Sequence, residues 1–576
     1  MPPRRLLDMA PHAPLLPPGS DRGRWRRAHA APRVWVLAML GAAACLTEGV
    51  EPAPVAASLV GGRPLLGLAD KCLDVRGRVA ADGASLVMWS CGGQASQRWA
   101  PVGSTIRGLG DRCVTVDPSA AGIRWGQGRR VELRTCTGAA TQQWTVRVDG
   151  TIAGYEGKCL DVAGASTADD TIAVVWPCLG GANQRWRFAA GARPFGTHGG
   201  YVTAGVRQPT GATPATLDQV TLAFYRQWKA AHLVPGCVAG TYRVNNAASG
   251  QPIRVSSEGQ GYGMLVAALM AGADPDAQLI FDGLYRYVSS HGVAAQPSLM
   301  AWAQDAACHT APGATTATDA DLDIAYALLL ADRQWGSAGA IDYRGAALRM
   351  LAAILATDVH PAGSLLIGGP LPATDRHYDG TRTSDVMPGH LKAFAAATGS
   401  ARWIAISDRA YATLSALQAG YAPATGLVPD FAVGASGAAP RPAPPAWLEG
   451  PNDGHYSWNA CRVPLRLATD YLLSGDARAR AVIQRLNAGI RRATADVPAR
   501  LRTGYTLDGV GYGGGAVMAF LAPLAVAAMI EPAVGTNQPW LDAAWAAVVQ
   551  QPPTDYYSDS LKLMAMLVVS GNWWTP

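Results

Sequence analysis

The sequence predicts a multidomain chain: an all-β unit made of three similar segments, followed by an all-α domain of paired helices. Three observations carry this. A cysteine-bearing pattern ending in Gln-x-Trp recurs three times between residues 60 and 190. Beyond residue 210, apolar residues return at the three-to-four spacing of amphipathic helices. The length, 576 residues, exceeds what one hydrophobic core holds, since domains run to about 150 residues.

The first element is an export segment, residues 1–57. Arg22, Arg24, Arg26, Arg27 and Arg33 precede an apolar run of 12 residues at 34–45, and Val55 and Ala57 form a V-x-A site among small residues. A basic stretch, an apolar stretch and a small-residue site make a secretory signal. The run is shorter than the roughly 20 residues needed to span a bilayer, and no other run is apolar enough, so no stable membrane insertion is expected. Cys45 follows three alanines, but the Leu of a lipoprotein site is missing three positions before it, so lipid anchoring there is not expected. The expected location is outside the cytoplasm, extracellular or periplasmic, where disulfides persist. Without this segment the formal charge of +6 falls to +3, too small a surplus to grip nucleic acid through phosphates. Trp (18) outnumbers Phe (7), which favours flat amphipathic rings able to stack on ligands.

Residues 58–190 hold the repeat. Unit one reads Lys71-Cys72-Leu73-Asp74-Val75, then Trp89-Ser90-Cys91, then Gln97-Arg98-Trp99. Unit two has Cys113, Cys136 and Gln142-Gln143-Trp144; unit three has Cys159-Leu160-Asp161-Val162, Trp176-Pro177-Cys178 and Gln184-Arg185-Trp186. The cysteines lie 19, 23 and 19 residues apart, so each unit can close its own disulfide loop. Short apolar runs between Gly-rich turns indicate strands, and three units of about 40 residues indicate closure about a pseudo-threefold axis.

These residues resemble the ricin-type β-trefoil lectin family. The resemblance implies sugar sites built from an Asp after the first Cys, an aromatic platform before the second, and an Asn-Gln pair near the closing Trp. Unit three has all of them: Asp161, Trp176, Asn183 and Gln184. Unit one keeps Asp74, Trp89 and Gln97, with Ser96 in place of Asn. Unit two has Thr115 and Arg134 at the Asp and aromatic positions, so no site is expected there. A carboxylate accepts from two hydroxyls, an amide donates to them, and an indole covers the apolar sugar face. The Gln and Trp of each triplet also suit a purely structural role.

Residues 191–209, without periodicity, are expected to be a linker, and 210–576 a helical domain. Twelve helices are expected near 215–232, 262–272, 277–291, 320–335, 341–357, 387–398, 402–419, 460–474, 477–495, 514–529, 538–550 and 557–571. Twelve helices in one domain suggest six hairpins around a barrel, with a solenoid as the alternative.

Two segments of this domain carry chemistry. In Ser257-Glu258-Gly259-Gln260-Gly261-Tyr262-Gly263-Met264, a Glu sits on a tight turn before a helix; the Gly spacing is not that of a nucleotide-binding loop. In 317–335, Asp319, Asp321 and Asp323 imitate a calcium loop, but Ile324 and Leu330 stand where Gly and a bidentate Glu are required. What remains is a carboxylate-rich helix start. The histidines are scattered, so no metal or cofactor is implied.

Both segments resemble glycoside hydrolase family 8, whose signature A-[ST]-D-[AG]-D-x-x-[IM]-A-x-[SA] is met from Ala317 to Ala327. The resemblance extends to Asp508-Gly509, Tyr557-Ser558-Asp559-Ser560-Leu561-Lys562 and Gly571-Asn572-Trp573. It implies an (α/α)6 barrel after the β-trefoil, inverting hydrolysis of β-1,4-linked polysaccharide, Glu258 as general acid and Asp319 holding the sugar at the scissile bond. Many members carry the general base as Asp in Y-D-A-x-R. Here the segment is Ser457-Trp458-Asn459-Ala460-Cys461-Arg462, and an amide takes no proton from water. Upstream, Glu449 and Asp453 offer carboxylates. This is similar to the chitosanase and lichenase branch, which pairs Asn with a Glu base in a preceding loop and assigns the role to Glu449.

Inversion needs one protonated carboxyl and one carboxylate about 6.5–9.5 Å apart, with water between. Glu258 then needs a raised pKa, from burial or from Asp319. Arg462 is expected to orient the base region, and Tyr262, Trp302 and Trp458 to stack on sugar rings. Cys237 and Cys308 are expected to pair, leaving Cys461 buried and free. The functional expectation is a secreted, monomeric endo-hydrolase with a sugar-binding module. Its rival is a non-catalytic carbohydrate-binding protein that has lost its base.

Overall fold

The computed structural model describes residues 63–576 apart from 93, 103, 120–127, 148, 189–192, 204, 247–253, 275, 338–340 and 533–534. The expected export segment 1–57, with Cys45, lies outside the described residues.

Each repeat unit forms one antiparallel hairpin: Cys72–Val75 with Ala84–Trp89, Arg112–Val116 with Arg129–Arg134, and Cys159–Val162 with Thr171–Trp176. The second strands of the three hairpins also pair with one another, which closes the sheet about a pseudo-threefold axis. Alternate residues face a common core of Leu73, Val75, Val114, Val116, Leu160 and Val162. The Trp of each triplet is buried there, and its indole N–H donates to the carbonyl of Leu73, Val114 or Leu160 at 2.8, 2.8 and 2.9 Å. A ring that size buries a large apolar area while its one donor stays satisfied. Glycine is required at the close approach beneath each ring: a Cβ on Gly108 would lie 2.3 Å from Trp99, and one on Gly154 2.6 Å from Trp144. Disulfides Cys72–Cys91, Cys113–Cys136 and Cys159–Cys178 close loops of 19, 23 and 19 residues, one per unit. Loops of that length stabilise by about 3 kcal/mol each through the entropy of the unfolded chain.

Among the described residues the helical domain has twelve α-helices: α1 Pro214–His232, α2 Ser257–Leu269, α3 Ala277–Ser290, α4 Thr318–Trp335, α5 Tyr343–Thr357, α6 Pro388–Thr398, α7 Arg402–Tyr421, α8 Val463–Ser474, α9 Ala477–Thr494, α10 Met518–Ala528, α11 Gln538–Gln550 and α12 Tyr556–Val569. The even-numbered helices form a closed ring, α2 against α4, α4 against α6, and so on until α12 returns to α2. The odd-numbered helices pack outside it, α3, α5, α7, α9 and α11 each on the helix before it and α1 on α12. This closure makes the domain an (α/α)6 barrel and excludes the solenoid. Burial follows the layering. Every residue of α10 is buried, whereas α9 buries one face around Val482, Ile483, Leu486 and Ile490.

The stretch expected to be a linker is bonded to this barrel from Arg193 onward: Phe195 N–H to Ala271, Val202 N–H to Leu472 and Arg207 N–H to Met529. Cys237 pairs with Cys308, and Cys461 is buried and free.

Candidate active site

The first turns of neighbouring inner helices bring the polar residues together. Ser256 caps α2 by accepting from Gly259 N–H, which puts Glu258 in the first turn; Asp319 occupies the first turn of α4, and Tyr556 begins α12. Helix N-termini favour negative charge, so these carboxylates sit where the backbone supports them.

Arg462 joins them. Its Nη1 donates to Glu258 Oε2 at 2.7 Å and Asp319 Oδ2 at 2.6 Å, and its Nη2 donates to Asn459 Oδ1 at 2.8 Å. Asn459 Nδ2 in turn donates to Glu449 Oε2 at 2.8 Å. Glu258, Arg462, Asn459 and Glu449 thus form one hydrogen-bonded chain. The expected acid and base, 191 positions apart in sequence, stand at its two ends.

Burial raises both carboxyls, and their charged neighbours differ. Burial pushes Glu258 up to about 7; Arg462, Arg382 and the Tyr556 hydroxyl oppose the rise and the Asp319 charge adds to it. Burial also works against charge on Asp319, but the guanidiniums of Arg382 and Arg462 outweigh it and hold that carboxyl below its usual range. Glu449 is raised by burial, with Arg382, the Asn459 amide and Arg462 pulling the other way. Asp453 is a brace: its carboxylate accepts from the N–H groups of Leu448, Glu449 and Gly450 at 2.6, 3.1 and 2.9 Å. Asp430, which sequence reasoning missed, braces the other side by accepting from the N–H groups of Ser457, Asn459 and Ala460.

The three Asp residues of α4 have different partners. Asp319 faces Arg462; Asp321 is packed against Asp358, and burial pushes both carboxyls up. Asp323 accepts from both terminal nitrogens of Arg466 and faces His390 at 3.0 Å. Among the described residues no group of three or more His, Cys, Asp or Glu could hold a metal ion.

Of the expected stacking residues, Trp302 and Trp458 are half-buried, and the Trp302 carbonyl accepts from Ser257 N–H beside Glu258. Tyr262 is a correction. It is wholly buried, and its hydroxyl faces Arg462 at 3.4 Å, so it has no ring face to offer a sugar. Arg382 was also missed; it lies in a short strand, Gly380–Arg382, whose sequence has no helical or catalytic pattern.

In the trefoil, Asp161 accepts from Asn183 Nδ2 at 2.8 Å and Gln184 Nε2 at 2.7 Å, beside the half-buried Trp176. In unit one Gln97 donates to Asp74 at 2.9 Å, and Trp89 is exposed. Gln97 and Gln184 need a second correction. Both are buried, and each spends its amide hydrogens on the Asp and on a backbone carbonyl, of Ser90 and Pro177 respectively. They orient the carboxylate and have no donor left for a sugar. In unit two Gln142 donates to Thr115 instead, and Arg134 pairs with Glu132.

Residues 208–571 match the model of the family described as Glycosyl hydrolases family 8, and residues 65–186 that of the ricin-type β-trefoil lectin domain. A β-glucanase of Niallia circulans is 42% identical over 388 residues, covering 67% of this chain and 93% of the relative. The solved apo structure of a β-1,3-1,4-glucanase from Paenibacillus sp. X4 aligns with a TM-score of 0.63 at 42% identity, over 67% of this chain and 99% of its own. Nigrin b of Sambucus nigra is 30% identical over 136 residues, 23% of either chain. By its barrel, its signature and these kinships, the chain belongs to glycoside hydrolase family 8 and carries a ricin-type β-trefoil lectin domain ahead of the catalytic one.

Proposed function

We propose that this glycoside hydrolase is a secreted, inverting endo-enzyme acting on β-1,4-containing polysaccharide, with mixed-linkage β-glucan ahead of chitosan, and that its trefoil retains it on the polysaccharide. The hydrogen bond from Asn459 to Glu449 carries the catalytic reading. It brings a second carboxylate to a site whose family position holds an amide, and so favours an active enzyme over a protein that has lost its base. The printed names of the Niallia and Paenibacillus relatives favour glucan. Export is supported by the four disulfides among the described residues.

In this mechanism protonated Glu258 gives its proton to the glycosidic oxygen as the bond to the anomeric carbon breaks. Glu449, as carboxylate, takes a proton from the water that attacks the opposite face of that carbon. Asp319, kept charged by two guanidiniums, accepts a hydrogen bond from a hydroxyl of the sugar at the scissile bond and offsets positive charge developing on the ring. Reducing-sugar release from mixed-linkage β-glucan, carboxymethylcellulose, chitosan and xylan tests the substrate, and NMR of the first products tests the stereochemistry. The expected result is fastest release from mixed-linkage glucan, with α-anomer appearing first. A β-anomer would rule out inversion, and fastest release from chitosan would move the substrate assignment.

For the trefoil, Asp161→Ala with Trp176→Ala should weaken retention on insoluble polysaccharide by roughly tenfold or more, and adding Asp74→Ala should remove most of what unit one retains through multivalency. Pull-down isotherms measure this. Unchanged retention in the triple variant would mean that these units are not the binding sites.

A further inference from the structure

Arginines in this barrel pair with carboxylates in two ways. Arg466 forks onto one partner, Asp323, with Nη1 at 2.8 Å and Nη2 also bonded. That is the close bidentate grip of a structural ion pair. Arg382 forks onto no single carboxylate; its guanidinium lies over the Phe431 ring, 5.5 Å from the centroid. Its guanidinium lies 3.3 Å from Asp319, 3.7 Å from Asp385 and 3.7 Å from Glu449, and neither its Nε nor its Nη1 makes a hydrogen bond. The side chain is 11% exposed. A buried cation placed among three carboxylates acts on all of them through its charge, which falls off slowly over such distances in a medium of low dielectric.

The two site arginines divide the work. Arg462 binds Glu258 and Asp319 directly but reaches Glu449 only through Asn459. Arg382 is the cation that faces Glu449 itself. We propose that Arg382 is the positioning residue of the hydrolytic step: it keeps Glu449 a carboxylate directed at Asn459, and so sets the acid limb of the activity profile. This rests on Glu449 being the base.

The charged groups around Glu449 support the assignment. Arg382 faces it from the strand Gly380–Arg382, Arg462 acts on it from the turn Ala460–Arg462 with Asn459 between them, and Asp453 and Asp430 lie on the bracing loops. Arg382 is faced by Asp319 of α4, Asp385 of the turn Thr383–Asp385, Glu449 and Arg462. Of the two cations acting on Glu449, Arg382 opposes the effect of burial more than Arg462 does; on Glu258 the order is reversed. Removing Arg382 should therefore raise the acid limb more than the basic limb and narrow the bell.

The test compares pH profiles of kcat for R382M, R382K and E449Q on mixed-linkage β-glucan. R382M should move the acid limb upward by at least about one pH unit, which is a tenfold loss of rate below that limb, with KM within about threefold. R382K keeps the charge and should keep the limb within a few tenths of a unit. If R382M does not yield folded protein by circular dichroism, R382Q removes the same charge with a polar side chain. An inactive E449Q together with an unmoved acid limb in R382M or R382Q would overturn the role of Arg382 alone. An R382K limb that moves as far as that of R382Q would also overturn it, because charge is what is claimed. An E449Q enzyme that keeps its activity would instead overturn the base assignment beneath it.

Discussion

Glu258→Gln should lower kcat on unactivated polysaccharide by at least about 10²–10⁴, the contribution expected of a positioned general acid. The fold should survive. Gln keeps its one acceptor oxygen for Arg462 and turns its NH2 to the Tyr556 hydroxyl, which can accept, and Arg462 retains its second carboxylate, Asp319. Wild-type activity should decline as pH rises through about 7, because Glu258 must hold a proton to act and burial sets its titration there. Gln does not titrate, so the variant's residual rate should lack this basic limb. A substrate with an activated aryl leaving group needs no proton on the leaving oxygen and should lose much less rate. Steady-state kinetics on both substrates, with binding followed by affinity electrophoresis, read the result. More than about a tenth of wild-type turnover on polysaccharide would show that Glu258 is not the acid, given the 10²-fold minimum.

The architecture was legible because periodicity is local. All twelve expected helices are present. The boundary errors have particular causes. The helix expected from 262 begins at Ser257, because Gly259, Gly261 and Gly263 speak against helix by intrinsic preference. They are there for packing: a Cβ on Gly263 would lie 2.6 Å from Val244, and one on Gly261 3.0 Å from Asp323 on α4. The helix expected from 514 starts at Met518, after three consecutive glycines, and tolerates Pro523 inside it. Within the site, Glu258, Asp319 and Asn459 could be found because they lie in motifs. Arg382, Asp385 and Asp430 could not. Arg382 and Asp430 act on residues tens of positions away, Asp385 faces Arg382 from three positions on, and no spacing in the chain announces any of them. Tyr262 misled for the opposite reason: it sits inside a motif, and its neighbours' function was extended to a ring that turns into the core.

The decisive test of water activation lies at the other end of the bonded chain. Glu449→Gln should cost at least about 10²–10⁴ in kcat, comparable to losing the acid, and azide should partly restore a Glu449→Ala variant by replacing water as nucleophile. Asp453→Asn is the control for the neighbouring carboxyl. It loosens the bracing of Leu448, Glu449 and Gly450, so its effect should be partial and should appear in thermal stability as well as rate. Asn459→Asp separates this branch from the family's commoner arrangement. The change restores the missing carboxylate, yet it replaces the donor of a 2.8 Å hydrogen bond to Glu449 with a second acid. Two carboxyls at that distance share a proton, and one of them then titrates well above its usual range. Activity should therefore fall, or its acid limb should move to higher pH. If Asn459→Asp instead rescues an inactive Glu449→Gln, position 459 can supply the base in either branch, and Glu449 is the resident base only because an amide occupies that place. Were Glu449→Gln to stay fully active while Asp453→Asn died, the loop would still supply the base, from the carboxylate that the backbone of residues 448–450 encloses.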